Sequence, residues 1–281
     1  MQFPGTAKPP VGIVFDSAMD RIDDALALAM LHGFDGQDQA RIAAVCVSNA
    51  DLKAAQFCDA MARFYAGATT GQAAMFMHFM PIGLADGKPA AASAMFANLA
   101  YPNSVKSIDD TADPATLIRN ELMAQNDQNA AVVLSGPATD LAKLLDMYGV
   151  KEWIARKVRL LCVTETGIRT DAAAADKVFA EWPTPIVKVG REIGEALLFP
   201  GDSIEKVFAW STGYRPMPDD APTWAMAAML YAVHPDGGYF KLSDGKPASL
   251  IFDPEQKERI LRTYIEIASA KPVQRKKDNK K

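Results

Sequence analysis

The sequence predicts an α/β fold: a single domain on a mostly parallel sheet with helices on both faces. Three observations lead there. Short apolar runs alternate with Ala/Leu-rich or amphipathic segments along the chain. The first apolar run, Val11–Phe15, breaks into an acidic turn and then a helical segment. No Gly/Ser-rich linker and no internal repeat divides the 281 residues.

Val11–Phe15 reads as a buried strand and Asp23–His32 as the helix after it. Arg41–Ser48 is the next strand, and Asp51–Tyr65 a helix with apolar residues at helical spacing. Pro81, Gly83, Gly87 and Pro89 mark a loop. Asp113 followed by Pro114 is an N-cap then proline signal, opening a helix to about Gln125. Ala130–Leu134 is a strand, and Gly136-Pro137 turns the chain into a helix over Thr139–Tyr148. Val158–Val163 and Pro185–Val189 are strands that flank the helix Ala172–Trp182. Arg191 to Gly194 starts a further connection, and Pro222–Val233 reads as a helix. Tyr239–Leu242 and Ser249–Phe252 form a hairpin around Asp244-Gly245, and Glu255–Ala270 is the last helix. The domain is expected over residues 11–270, with the basic tail 271–281 disordered.

Composition bounds the function. With 49% hydrophobic and 23% charged residues the chain reads as an ordinary globular protein, and a net charge of −4 argues against nucleic-acid binding. No apolar stretch approaches the roughly 18 residues that span a bilayer. Residues 1–10 lack a signal-peptide core, so the expectation is a soluble protein, either cytoplasmic or exported with its signal already removed. Cys46, Cys58 and Cys162 have neither disulfide-framework nor metal-ligand spacing and read as core residues. His32, His78 and His234 belong to no metal motif, and the Met75–Met80 segment reads as packing or an apolar contact loop. Phosphate-cradling glycine loops and the GxSxG nucleophile elbow are absent from the sequence.

The acidic turn is the most informative segment. Asp16, Asp20, Asp23 and Asp24 put four carboxylates within nine residues, at the carboxyl end of the first strand. Open α/β sheets place their ligand crevice at that edge. Gathered carboxylates repel one another unless a cation, a hydroxyl network or shifted pKa values compensate. Two accounts follow. The carboxylates cap a helix N-terminus, where the macrodipole favours them, or they form a cation and polyol site.

Asp16 and the run Asp23-Asp24-Ala25-Leu26-Ala27-Leu28 resemble the N-terminal signature of the inosine-uridine nucleoside hydrolase family, Asp-x-Asp followed by Asp-Asp-Ala-x-Ala-Leu. Three later segments are similar to that family in the same order. They are Val132-Val133-Leu134-Ser135-Gly136-Pro137-Ala138-Thr139-Asp140-Leu141-Ala142, then Glu181–Val187 with Gly190 to Gly194, then Pro222–Ala225 with Leu230–Val233. The resemblance spans about residues 11–255 and implies a nucleoside-hydrolase-like, Rossmann-type sheet. It also implies N-glycosidic hydrolysis of a nucleoside or ribosyl compound. Calcium would be held by aspartates and one backbone carbonyl, bind the ribose diol and a water, and serve attack through an oxocarbenium-like transition state.

This chain departs from the family where the chemistry lies. Ala18 stands at the second aspartate of the Asp-x-Asp pair, a calcium ligand and base in the family, and Ala225 at the late metal-binding aspartate. Gly167 stands near the ribose-binding asparagine, and Met19-Asp20-Arg21-Ile22 replaces the turn glycine. Of the implied metal shell Asp24, Asp16 and the Ser135 carbonyl remain. Asp16, Asp23, Asn49 and Glu165 are the candidate substrate-binding residues, with Asn49 alternatively a turn residue before Asp51. Asp20 is the candidate substitute base, and Asp219 or Asp220 could replace the late ligand. Arg21 reads as a solvated arginine, or as a cation in the metal position paired with Asp16 or Asp24. Losing two carboxylates at once weakens calcium binding by several kcal/mol, on the order of screened close charge interactions. The expectation is therefore a hydrolase-family protein without standard calcium catalysis, calcium being absent or weak, or a non-catalytic nucleoside- or sugar-binding homologue. A small nucleoside or sugar-like ligand, no nucleic acid and no membrane are the expected partners, with homo-oligomer formation left open.

Overall fold

The computed structural model describes residues 10–67, 80–87, 101–211 and 219–271. Elements are numbered along those residues. The strands are β1 (Val11–Ser17), β2 (Ala40–Val47), β3 (Ile82–Leu84), β4 (Ala130–Ser135), β5 (Val158–Thr164), β6 (Ile186–Val189), β7 (Leu198–Phe199), β8 (Ala221–Pro222), β9 (Phe240–Leu242) and β10 (Ala248–Phe252). The helices are α1 (Ile22–Gly36), α2 (Leu52–Tyr65), α3 (Pro114–Ala124), α4 (Thr139–Leu145), α5 (Val150–Lys157), α6 (Glu165–Ile168), α7 (Ala172–Glu181), α8 (Arg191–Ala196), α9 (Gly201–Phe208), α10 (Trp224–Val233) and α11 (Lys257–Ala268).

Eight strands form one sheet in the order β3-β2-β1-β4-β5-β6-β10-β9. All neighbours in it are parallel except β9, which pairs antiparallel with β10. Strands buried on both faces need continuous apolar runs, and β1 and β4 are buried throughout. The pleat divides their side chains. Val11, Ile13 and Phe15 join Ala131, Val133, Leu160 and Cys162 in a core beneath α1, α2, α10 and α11. Val14 joins Val132, Leu134, Leu161 and Val163 in the other core, beneath α3, α4, α5 and α7.

Several elements differ from the sequence expectation. The Pro/Gly-rich loop contains β3, which pairs with β2 through a strand of three residues, too short to show a period. The helix expected over Thr139–Tyr148 ends at Leu145, and Gly149, at φ 71°, opens α5 as a second helix. Pro222 lies in β8, paired with β7, so α10 begins only at Trp224. The amphipathic α9 lies in a stretch where no element was expected. The hairpin is present, and because β10 also pairs with β6 it extends the main sheet. His78, most of the Met75–Met80 segment and the tail beyond Lys271 lie outside the described residues.

Strands β2 and β3 lie on one side of β1, and β4, β5 and β6 on the other. The chain direction across the sheet therefore reverses between β1 and β4. Such a switch point opens a crevice at the carboxyl ends of the two strands. Ser17 and Ser135 are in register there, and the acidic turn leaves β1 at the same edge.

Candidate functional site

The site grows from the ends of β1, β4 and β5 and the starts of α1 and α10. After Ser17 the chain turns sharply, and Met19 adopts the left-handed region at φ 50°. That conformation is uncommon for a residue with a Cβ. Two contacts hold it: the Met19 amide donates to Ser17 Oγ at 2.9 Å, and the Met19 side chain is fully buried. The turn delivers Arg21 to the N-cap of α1, where its own amide donates to Asp24 Oδ2 at 3.3 Å.

The Arg21 guanidinium points inward rather than into solvent. Its Nη2 lies 3.1 Å from the Ser135 carbonyl oxygen, 2.9 Å from Ser135 Oγ and 3.4 Å from Asp24 Oδ1. Nη1 donates to Thr166 Oγ1 at 2.6 Å. Ser135 Oγ in turn donates to Asp24 Oδ1 at 2.7 Å, and Thr164 Oγ1 lies 3.4 Å from Ser135 Oγ. The guanidinium carbon stands 5.7 Å from the Trp224 ring centroid. Burial opposes the charge on Arg21, but Asp24, Asp23 and Asp20 outweigh it and raise the pKa. Arg21 is thus a charged, mostly buried residue; the solvated reading is corrected because fixed acceptors surround it.

Asp23, one position earlier on α1, faces a different partner. Its Oδ2 accepts from the Ala225 amide at 2.6 Å and its Oδ1 from the Met226 amide at 3.1 Å, so it caps α10 across the core. Burial first, then the Asp24 charge, pushes its pKa up to about 7 against the pull of those amides and Arg21.

Asp16 follows Val14 in the pleat and belongs to the face of α4, away from Asp24 and Ser135. It is fully buried, and neither carboxylate oxygen has a hydrogen-bond partner among the described residues. Burial, then repulsion by Asp140, raises its pKa well above the usual range, and the nearby Ser48 hydroxyl, out of hydrogen-bond geometry, offsets this only in part. Asn49 Oδ1 accepts from the Asp51 amide at 2.9 Å, the turn geometry. Glu165 lies 3.7 Å from Lys188 Nζ. Asp20 is half exposed at the rim, 3.9 Å from Arg21 Nε, with its pKa raised by burial and by Asp24. Asp220 accepts from the Gly201 amide at 3.0 Å and so caps α9, while Asp219 is exposed. Thr166 escaped sequence reasoning: no local signal marks a partner 145 positions away.

Calcium, the cation that the resemblance implies, does not fit these residues. Ala18 and Ala225 offer no side-chain oxygen. The remaining implied ligands, Asp24 Oδ1 and the Ser135 carbonyl, already accept from one guanidinium nitrogen. Asp16 stands on the other face of the sheet, and no group of three His, Cys, Asp or Glu among the described residues is placed to hold a metal. A hard divalent ion wants six or more oxygens, with carboxylates among them.

No family model matches the sequence, and no curated protein does. Solved structures match in fold. The inosine-uridine preferring nucleoside hydrolase from Bacillus anthracis aligns with 92% of this chain and 99% of its own, at TM-score 0.65 and 13% identity. The purine-preferring ribonucleoside hydrolase from Gardnerella vaginalis gives 92% and 99%, TM-score 0.65 and 12% identity. The type III effector protein XopQ, solved in complex with adenosine diphosphate ribose, gives 95% and 96%, TM-score 0.69 and 12% identity. The chain shares with all three a single-domain α/β fold of the nucleoside hydrolase kind.

Proposed function

We propose that this protein binds a ribosyl ligand, a nucleoside or nucleotide sugar, at the β1/β4 edge and does not hydrolyse it by the calcium route. One observation carries the reading: Asp24 and the Ser135 carbonyl, both in the implied metal shell, are satisfied by Arg21, while two carboxylates of that shell are alanines. Alanine supplies no ligand, base or hydrogen bond. The guanidinium orients ligand oxygens by donation, Trp224 gives the site an aromatic wall, and Asp20 stands at the rim as an acceptor. The fold likeness to XopQ, a protein solved with adenosine diphosphate ribose, supports a ribosyl ligand. A second reading, a rebuilt N-glycosidase with Asp20 as base, has in its favour the raised pKa of that carboxyl at the rim of the site.

Calorimetry and product analysis decide between them. Adenosine diphosphate ribose, titrated into the full chain with a chelator present, is expected to bind, and inosine and uridine to release no ribose. Ribose release at enzyme-like rates that Asp20→Asn abolishes favours the second reading. Absence of binding by every ribosyl compound removes the first.

A further inference from the structure

We infer that Arg21 is a built-in cation: its guanidinium fills the position of a divalent ion between Asp24 and the Ser135 carbonyl, and so excludes metal from the site. For the ligand, the inference rests on the ribosyl reading above; for the metal, it stands alone.

The charge balance argues for it. Asp24 is fully buried, and its carboxylate meets Arg21 Nη2 and Ser135 Oγ. A buried carboxylate needs a counter-charge. Nη2 also reaches the Ser135 carbonyl, an acceptor left at the end of β4 where the sheet stops. A cation fixed to the chain meets both demands without recruiting an ion from solution. The guanidinium has five N–H groups. The two on Nη2 face Asp24 and Ser135, and one on Nη1 faces Thr166. The second hydrogen of Nη1 and the Nε hydrogen are left, and Nε has no hydrogen-bond partner among the described residues. Nε is buried, so the Nη1 hydrogen is the one left to donate to a ribosyl hydroxyl. A guanidinium donor orients a ribosyl hydroxyl, but it does not activate water as a metal does.

The inference changes what restores calcium binding. Returning the two lost carboxylates alone, Ala18→Asp with Ala225→Asp, leaves the guanidinium in place. Adding Arg21→Ala clears it. Thermal melts of the full chain with and without about 10 mM calcium report binding as a rise in Tm. The wild type and the double variant are expected to be unmoved, and the triple variant to rise. A rise for the wild type or the double variant overturns the inference, as does a folded triple variant that ignores calcium. Where the triple variant does not fold, Arg21→Ala alone serves. It is expected to lower Tm by more than about 5 °C, because it strips the counter-charge from Asp24. An unchanged Tm overturns the inference. Calcium alone is the probe in these melts, so failure to bind any ribosyl compound would remove the ligand reading and leave this result untouched.

Discussion

Asp16 and Asp24 lie eight positions apart in one acidic turn, yet the structure gives them opposite circumstances. Asp24 has a guanidinium and a serine hydroxyl. Asp16 is fully buried against Asp140, with its pKa raised, and Asp140 itself is pushed up to about 6, by burial first. A carboxyl whose folded pKa lies above its unfolded value binds protons more tightly when folded. Its favourable contribution is present below the unfolded pKa and is lost as pH rises toward the folded one. Asp16→Asn, neutral at every pH, is therefore expected to match the wild type near pH 4. It should be more stable by about 1–3 kcal/mol at pH 7.5, measured by urea unfolding at both values. A constant difference between the two pH values would contradict the burial account. The four acidic residues were legible in the sequence; their division between faces was not, because it depends on where the strand ends and the turn begins. Arg21 was legible only as an alternative, since its acceptors come from β4 and α6, 114 and 145 positions along.

Between elements, the same turn joins α1 to α10. The first turn of α10 has amides that no residue within the helix can accept, and Asp23 accepts two of them from α1. Asp23→Ala is expected to cost about 2–3 kcal/mol, leaving both amides buried and unpaired. Asp23→Asn, which keeps one acceptor, should cost less; equal losses in denaturant melts would contradict the cap. Met19 shows a related balance. Its left-handed backbone costs on the order of 1 kcal/mol, while its buried side chain contributes about 2–5 kcal/mol of packing. Packing therefore prevails, and methionine holds a left-handed position. Helix starts with a strong local signal, such as Asp113 accepting from the Thr116 amide, were readable from the sequence. The three-residue β3 and the break before α5 were not, because neither is long enough to carry a period.

Across the whole molecule, the parallel sheet and its switch point bring the ends of β1, β4 and β5 to one edge, and alternating apolar runs made that architecture predictable. The fold is held in common with nucleoside hydrolases at 12–13% identity, so the scaffold persists through wide sequence change. Fold and function separate in this way because a core needs only apolar volume and pattern, whereas a metal shell needs particular oxygens at particular places. The central claim is that a cation of the chain stands where an ion would. Titration of calcium into the wild-type protein by calorimetry tests it most directly. The account predicts no binding heat up to about millimolar calcium, the range at which even weak protein sites fill. Saturable binding at micromolar concentration, abolished by Asp24→Asn, would contradict it.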